Sequence, residues 1–394
     1  MWTPNDTWRK ELEDELKAIL AFWMEHTLDD RHGGFIGKLD NNNDVDVHAP
    51  KGSVLNSRIL YAFSSASLYY NDAAYRQVAA RAYDYIVDHF IDKKYGGVYW
   101  STDALGNPLD TKKQVYATAF AVYGLSEYYK ATGNLMALQQ VINLYETLEK
   151  YSHDKVHLGY IEALTRYWQP LEDLRLSSKD FNEKKSMNTH LHVLEAYANL
   201  YTVWPNENLK KNIEELIGLF LQHIIDPLTN HLVLFFDEEW NPRSQIVSYG
   251  HDIEAAWLVQ EAAEIIGNNT LIEEVKQRSI AIAKAAEEGL DKDGGIWYEK
   301  EGDHLVKEKH WWPQAEALVG FYNTWQNTGD EHFLELAKNN WKFIQQHIID
   351  HKNGEWFWGM QPDGKVMEGE DKAGMWKCPY HNGRACLELV KRIT

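Results

Sequence analysis

The stretch "DHFIDKKYGGVYW" at residues 88–100 decides how this chain folds, because its plan recurs along the sequence. A helical pattern ends near Asp92, and a pair of glycines begins four residues later. Glycine supplies the positive φ that a tight turn needs, so the aromatic run after it is expected to leave the turn as a short strand. The stretch therefore predicts a helix end, a tight turn and a strand in succession.

Five further segments follow this plan, at residues 25–37, 150–162, 222–236, 287–299 and 346–359. Asp29, Asp154, Asp226 and Asp350 keep the spacing of Asp92, and Asp291 sits one residue closer to its glycines. After each segment comes a second helical pattern with fewer charges and more small residues. These second helices are predicted to begin near Leu55, Gln114, Met187, Gly250, Trp311 and Tyr380.

The two kinds of helix differ in how much of their surface is polar. In residues 7–26, apolar side chains recur on one face and charged side chains occupy the other, which is typical of a helix between core and solvent. The second helices lack such a polar face. We therefore predict an all-α fold of six inner and six outer helices, with short β-hairpins at one end. No linker interrupts the pattern, so we expect one domain over residues 1–394.

Composition excludes several classes of partner. The formal charge of -19 and the pI near 5.3 argue against nucleic acid and anionic membrane surfaces. No apolar run is long enough to span a bilayer, and the first residues lack the apolar core of a signal peptide. Cys378 and Cys386 are expected to be buried thiols, and the compartment is expected to be the cytoplasm.

Aromatic residues point to a sugar ligand. The chain has 16 Trp and 22 Tyr, and many lie in glycine-containing loops such as "GGIWYE" and "GEWFWG". Aromatic rings with a polar edge suit the C–H faces of sugars. Packing in the core is the alternative for any single tryptophan, and the concentration in loops favours binding.

Polar residues gather at the predicted starts of the inner helices. Because inner helices have no face toward solvent, these groups are expected to line a common cavity. They are Arg58, Tyr116, Asn188, His190, His251, Glu254, Trp312, Glu316, His381 and Arg384.

His251 and Glu254 lie one turn apart on the same face of their helix. A helix N-terminus carries partial positive charge, which disfavours the imidazolium and keeps a histidine neutral near pH 7. A neutral histidine is a usable general base, and the helix dipoles together with Arg58 favour a developing oxyanion. The pattern therefore predicts a cavity for proton abstraction, although a capping histidine and a stabilising polar pair are ordinary alternatives.

Other chemistries have weaker support. His190, His251 and Glu254 make a conceivable metal set, but the aromatic surroundings do not require one. No glycine-rich phosphate loop and no G-x-S-x-G motif occurs in the sequence. We therefore predict no metal and no cofactor.

The motifs "NTHLHVLEAY", "GHDIEAAWL", "HWWPQAEAL" and "WKCPYHNGRACLEL" resemble the N-acylglucosamine 2-epimerase superfamily of (α/α)6 barrels, and within it the cellobiose 2-epimerases. The resemblance covers essentially the whole chain. It implies reversible conversion of glucose to mannose at the reducing end of β-1,4-linked disaccharides such as cellobiose and lactose.

The resemblance also implies roles for individual residues. The family's catalytic histidines fall on His251 and His381, and the site residues around the reacting sugar fall on Arg58, His190 and Glu254. Trp312 and Trp376 match the aromatic residues that hold the disaccharide. Further matches fall on Tyr116, Asp180, Asn188 and Glu316.

The hypothesis that follows is ring opening assisted by one histidine, removal of the C2 proton by a neutral histidine, and return of a proton to the opposite face of a cis-enediolate. An aldose–ketose isomerase of the mannose isomerase type would return the proton to C1 instead. A glycoside hydrolase would use two carboxylates, with Glu254, Glu316 or Asp180 as candidates. A sugar-binding protein without activity would not need the histidines.

The expected partner is a small sugar, and the expected assembly is a monomer or weak homo-oligomer.

Overall fold

The computed structural model describes residues 4–393 of the chain; residues 1–3 and 394 of the predicted domain lie outside the described part. The described residues form twelve α-helices: α1 (Pro4–His26), α2 (Ser53–Tyr70), α3 (Ala73–Tyr85), α4 (Val115–Thr132), α5 (Leu135–Tyr151), α6 (Met187–Tyr201), α7 (Glu207–Leu219), α8 (Tyr249–Ile266), α9 (Asn269–Ala286), α10 (Trp311–Thr328), α11 (Glu331–Phe343) and α12 (His381–Arg392).

The even-numbered helices make an inner ring and the odd-numbered helices surround it. Each inner helix packs on its neighbours in the ring, and α12 closes it against α2 and α10. Inner helices are buried on all sides: every residue of α2 from Ser53 to Ser67 is buried. Outer helices such as α7 bury one apolar stripe. The predicted (α/α)6 barrel is confirmed, and each inner helix begins within two residues of the predicted position.

Two glycines allow close packing inside the ring. A Cβ on Gly124 of α4 would lie 2.5 Å from the backbone oxygen of Ser57 on α2, and a Cβ on Gly320 of α10 would lie 2.7 Å from the oxygen of Ile253 on α8. Since real Cβ atoms do not approach backbone so closely, a side chain at either position would push neighbouring inner helices apart.

Twelve short strands border one end of the barrel: β1 (Lys51–Gly52), β2 (Ser101–Thr102), β3 (Pro108–Asp110), β4 (Lys113–Gln114), β5 (Ala163–Leu164), β6 (Lys185–Ser186), β7 (Phe235–Phe236), β8 (Ile246–Ser248), β9 (Glu299–Glu301), β10 (His304–Val306), β11 (Lys309–His310) and β12 (Gly359–Met360). Strands β1, β4, β6, β8 and β11 each lead into an inner helix and pair antiparallel with a strand of the following unit. These pairings surround the mouth where the inner helices begin.

The repeated aspartates hold the turns in a way that the sequence patterns did not reveal. Asp92 accepts hydrogen bonds from the backbone N–H groups of Lys94 and Tyr95, which shapes the turn before Gly96 and Gly97. It also pairs with Lys113 on β4, two residues before the next inner helix. Five units share such a pair between a buried lysine and an aspartate, which we call the hairpin pair: Asp29–Lys51, Asp92–Lys113, Asp154–Lys185, Asp291–Lys309 and Asp350–Lys372, with N···O distances of 2.5–3.0 Å.

The fourth unit is built differently. Asp226 caps its own turn through the N–H groups of Leu228 and Thr229, and the buried pair is formed instead by His231 and Asp252, 2.7 Å apart. Within residues 4–393, no helix is both long enough and apolar enough to cross a bilayer.

Candidate active site

A cavity of about 450 Å³ opens at the mouth of the barrel. All six inner helices contribute to its wall, together with the loop at 172–184 and strands β7 to β9. Its volume lies within the roughly 300–1,000 Å³ typical of small-molecule sites. The lining includes Arg58, Tyr116, Asp180, Asn188, His251, Glu254, Trp312, Trp376 and His381, which are nine of the eleven predicted site residues.

His251 and His381 both lie against Trp312. The ring centroids lie 4.6 Å apart for His251 and Trp312, and 5.8 Å apart for His381 and Trp312. The Nδ1 atom of His251 contacts the hydroxyl of Ser248 at 2.9 Å, and that of His381 contacts a Glu316 carboxylate oxygen at 2.6 Å. Among residues 4–393, neither Nε2 atom has a hydrogen-bond partner, so each is available to a bound molecule.

Both histidines are neutral near pH 7. Burial lowers the pKa of His251 to about 3, and the nearby His192 contributes to the shift. Burial also lowers the pKa of His381 well below 6.5, with the charges of Arg58 and Arg384 acting in the same direction. The sequence predicted neutral histidines from the helix dipole, and the structure identifies burial as the larger cause.

Arg58 provides a fixed positive charge in the cavity wall. Its guanidinium donates to the hydroxyl of Tyr116 at 2.6 Å and to the carbonyl of Trp376 at 3.2 Å. The same group lies 4.2 Å from the ring centroid of Phe120 and 4.7 Å from that of Tyr380. Because aromatic faces and two acceptors fix its position, Arg58 is preorganised to stabilise an oxyanion.

The outer part of the cavity is aromatic and acidic. Trp376 packs against Trp100, with ring centroids 5.6 Å apart. Asp180, in the 172–184 loop, accepts from the backbone N–H of Ser177 at 2.8 Å, and burial raises its pKa. Burial and the charge of Asp180 raise the pKa of Glu299 on β9 to about 7. This mixture of flat apolar faces and acceptors fits a polyhydroxylated ligand.

Asn188 leaves a buried acceptor for such a ligand. It lies in the first turn of α6, and its Oδ1 atom is buried without a hydrogen-bond partner among the described residues. Buried polar atoms are ordinarily paired, so this oxygen indicates the place of a bound donor.

The expectation for His190 is corrected by the structure. His190 does not line the cavity: its Nδ1 contacts the carbonyl of Ser186 at 2.7 Å, and its Nε2 accepts from the N–H of Tyr160 at 2.9 Å. His192 lines the cavity instead, with its Nδ1 2.9 Å from Glu195. Residues two apart on a helix point to different sides, and both sides of α6 are buried, so burial could not distinguish them.

Glu316 is also corrected. It lies behind the cavity wall, not on it, and its carboxylate contacts His381, accepts from Trp257 Nε1 at 3.0 Å and accepts from Arg384 at 2.6 Å. Glu316 therefore orients His381 and is not placed to touch a ligand.

One group of side chains has the spacing of a cation site. Ligand atoms of Glu254, Glu316 and His381 lie within 4.8 Å of one another. Arg384 Nη2 lies 3.2 Å from Glu254 and 2.6 Å from Glu316, so a guanidinium occupies the position between the two carboxyl groups. The sequence placed Arg384 at this mouth but did not identify its contacts.

Similar proteins share both the sequence and the architecture. The N-acylglucosamine 2-epimerase (GlcNAc 2-epimerase) family profile matches residues 33–385. A cellobiose 2-epimerase from Bacteroides fragilis is 48% identical, over 97% of this chain and 98% of that protein. The structure of cellobiose 2-epimerase from Bacillus thermoamylovorans B4167 is 40% identical, covers 98% of this chain and 100% of its own, and superposes with a TM-score of 0.95. A D-mannose isomerase crystal structure shares the fold, at 22% identity, 99% coverage of both chains and a TM-score of 0.86.

Proposed function

This chain belongs to the N-acylglucosamine 2-epimerase family, and on that premise we propose that it epimerises C2 of the reducing-end glucose of β-1,4-linked disaccharides. Cellobiose would become glucosyl-mannose, and lactose would become epilactose. The relatives named cellobiose 2-epimerase support this substrate class, since they are up to 48% identical over nearly the full chain.

One observation carries the proposal. Two neutral histidines from different inner helices, His251 and His381, lie near Trp312 in one cavity, and neither Nε2 atom has a hydrogen-bond partner among residues 4–393. Inverting a carbon that bears hydrogen needs a base on one face and an acid on the other, or one group that reaches both after the intermediate rotates. The pair suits this requirement, whereas a sugar-binding protein would not need it.

The mechanism begins with the closed sugar ring. One histidine assists opening to the aldehyde, which makes the C2 proton acidic. A neutral imidazole Nε2 then takes that proton, and the electron pair of the broken C–H bond forms a cis-enediolate. Arg58 stabilises the oxyanion, and His192, which lines the same cavity, is proposed to contact the reacting sugar in place of His190. The imidazolium formed in the previous step, after the intermediate rotates, or the other histidine once it has taken a proton from solvent, returns a proton to the opposite face of C2 and completes the inversion.

The second sugar of the disaccharide is expected to extend toward the mouth. Trp312 and Trp376 offer aromatic faces on the cavity wall, and Asn188 and Asp180 offer acceptors for hydroxyl groups. Because Trp312 lies beside both histidines and would contact the reacting ring, Trp376 is the aromatic face left for a second sugar, which supports a disaccharide as substrate.

Incubation with cellobiose and identification of the product tests the activity. The proposal predicts a disaccharide with mannose at the reducing end. A ketose product would instead indicate an aldose–ketose isomerase, and free glucose would indicate a hydrolase. The hydrolase alternative needs two carboxylates facing the substrate: Glu316 lies behind the wall, whereas Glu254 and Asp180 line the cavity, so the product decides between the two activities.

We further propose that the protein works in the cytoplasm without a metal, as a monomer or weak homo-oligomer. Its two cysteines, Cys378 and Cys386, are free and buried, which suits a reducing compartment. Sedimentation of the purified protein over a range of concentrations would give its assembly state.

A further inference from the structure

Below the cavity, four inner helices each contribute one buried charged residue to a group that we call the carboxylate cluster. Its members are Glu195 on α6, Glu254 on α8, Glu316 on α10 and Arg384 on α12. No member is more than 4% exposed. Glu254 also reaches the cavity wall, so the cluster is continuous with the candidate active site.

A single guanidinium faces all three carboxyl groups. Arg384 Nη1 donates to Glu195, while Nη2 donates to Glu316 at 2.6 Å and to Glu254 at 3.2 Å. The ring of Tyr380 separates this guanidinium from that of Arg58, at 4.2 Å and 4.7 Å from the ring centroid. Two guanidinium groups thus stand against three carboxyl groups.

The charge of the cluster does not balance when all three acids are ionised. The titratable and charged groups that face Glu254 from the surrounding helices are Arg58, His192, Glu195, Glu316, Tyr380, His381 and Arg384, with His251 on its own helix. The histidines are neutral, so full ionisation would bury one unpaired negative charge. Such a charge is costly in a protein interior, and the usual outcome is that one carboxyl keeps its proton.

The hydrogen bonds identify which carboxyl that is. Glu195 contacts Arg384, the hydroxyl of Tyr380 and His192 Nδ1. Glu316 contacts Arg384, Trp257 and His381 Nδ1.

Glu254 has the least support for a negative charge. Its hydrogen bond within the described residues comes from Arg384 alone, and it is the longest of the guanidinium contacts in the cluster. Burial and the charge of Glu316 raise the pKa of Glu254 well above 4.5. For Glu195, burial acts in the same direction, but Arg384 and His192 lower its pKa to about 2. Burial raises the pKa of Glu316 as well, though less than that of Glu254, because Arg384 and Trp257 oppose it.

We propose that Arg384 is a positioning residue that keeps Glu195 and Glu316 ionised, and that Glu254 is a neutral carboxylic acid whose O–H donates a hydrogen bond to an oxygen of the bound sugar. The proposal rests on the proposed epimerisation for the identity of that sugar. Arg384 also orients His381 through Glu316. Ionised Glu316 accepts from Nδ1–H of His381, which leaves Nε2 as the basic nitrogen.

Substitution of Glu254 tests its role as a donor. Glu254→Gln keeps an N–H donor of similar shape, so kcat is expected to stay within about tenfold of the wild type. Glu254→Ala removes the donor, and a loss of about 10²–10³-fold is expected, as for other oxyanion donors. Equal losses in both variants would overturn the proposal.

The pH profile tests the role of Arg384. The active form of Glu254 carries its proton, so activity falls as the pH rises through its pKa, and Glu254→Gln is expected to lose this alkaline limb. Arg384→Met removes a positive charge, which raises the carboxyl pKa and moves the limb to higher pH. Arg384→Lys is expected to keep the limb near its wild-type position. If Arg384→Met lowers kcat and leaves the limb in place, Arg384 is only structural and the proposal fails.

Infrared difference spectroscopy supplies a readout that does not depend on turnover. The wild type at neutral pH is expected to show a protonated-carboxyl band that disappears in Glu254→Gln and persists in Glu274→Gln, which changes an exposed carboxyl on α9. A wild-type spectrum without that band overturns the proposal. The band supports it even if cellobiose is not converted, a result that would defeat the proposed function alone.

Discussion

Beneath the hairpins each buried lysine meets one aspartate, or two in the case of Lys309, whereas beneath the cavity one guanidinium meets three carboxyl groups. Three of the hairpin pairs are one-to-one in charge, and the extra partners of the other two, Arg166 at Asp92 and Asp293 at Lys309, reach toward solvent. All five aspartates also accept from a backbone N–H. The carboxylate cluster carries an excess of acid and touches the cavity. The hairpin pairs and the carboxylate cluster both contain buried charged groups. A charge-balanced pair stabilises a turn, while the unbalanced cluster determines which carboxyl group keeps a proton.

The largest expected effect comes from removing either histidine at the cavity. His251→Ala or His381→Ala is expected to reduce epimerisation by about 10²–10⁴-fold, the range for a lost general acid or base. The fold is expected to be kept, with a loss of about 1–3 kcal/mol of stability in His381→Ala, which leaves the buried Glu316 without the donor at His381 Nδ1. Product formation over time measures the loss of epimerisation, and thermal unfolding measures whether the fold is kept. Near-normal turnover in either variant would remove that residue from the mechanism.

Breaking a hairpin pair is expected to give the opposite result. Lys185 donates to Asp154 and to the carbonyls of Leu158 and Glu238, so Lys185→Met leaves three acceptors without their donor. The free energy of unfolding is expected to fall by about 3 kcal/mol, at the low end for a broken buried pair.

Urea unfolding measures the loss, with Lys211→Met as control because Lys211 is exposed on α7. The kcat of the folded fraction is expected to stay near the wild-type value. An unchanged unfolding curve, or a specific loss of kcat, would contradict the claim that the hairpin pairs serve stability while the carboxylate cluster serves catalysis.

The two histidines of α6 allow an effect on catalysis and an effect on stability to be compared within one helix. His192→Asn is expected to lower kcat/KM by about tenfold or more, since His192 lines the cavity and contacts Glu195. His190→Asn leaves the buried N–H of Tyr160 without its acceptor and is expected to cost about 1–3 kcal/mol of stability. Steady-state kinetics and urea unfolding on both variants measure this difference, and the reverse pattern would restore His190 to the site.

The smallest expected effect is that of metal removal. Arg384 occupies the position between Glu254 and Glu316, so incubation with a chelator followed by dialysis is expected to leave activity within about twofold of the untreated enzyme. Assay with and without added divalent ions checks this. Loss of activity that is restored by one ion would show that the cluster binds a metal.

The fold followed from sequence because its signal is repetitive. Six turns that follow an aspartate, five of them with glycine and one with Asn230, together with two kinds of helix predicted the ring order. They also predicted the starts of the inner helices to within two residues of the observed positions. The hairpin pairs escaped this reasoning, although a lysine two residues before an inner helix recurs in the sequence as Lys51, Lys113, Lys185 and Lys309. Their pairing depends on contacts between units, which periodicity does not describe.

The site was less predictable because inner helices are buried on every side. Arg58, His251 and His381 line the cavity where the sequence placed them, but His190 and Glu316 do not. A helix without a polar face gives no sequence signal for which side meets the cavity and which meets the outer ring. The contacts of Arg384 were also hidden, since they join four helices distant in sequence.

Solvent deuterium exchange during turnover tests the central claim most directly. With cellobiose in heavy water, the account predicts that the mannose-ended product carries deuterium at C2. His251→Ala and His381→Ala are each expected to slow its appearance by about 10²-fold or more. A product epimerised at C2 that keeps its original hydrogen, or normal exchange in both variants, would contradict proton transfer by these two histidines.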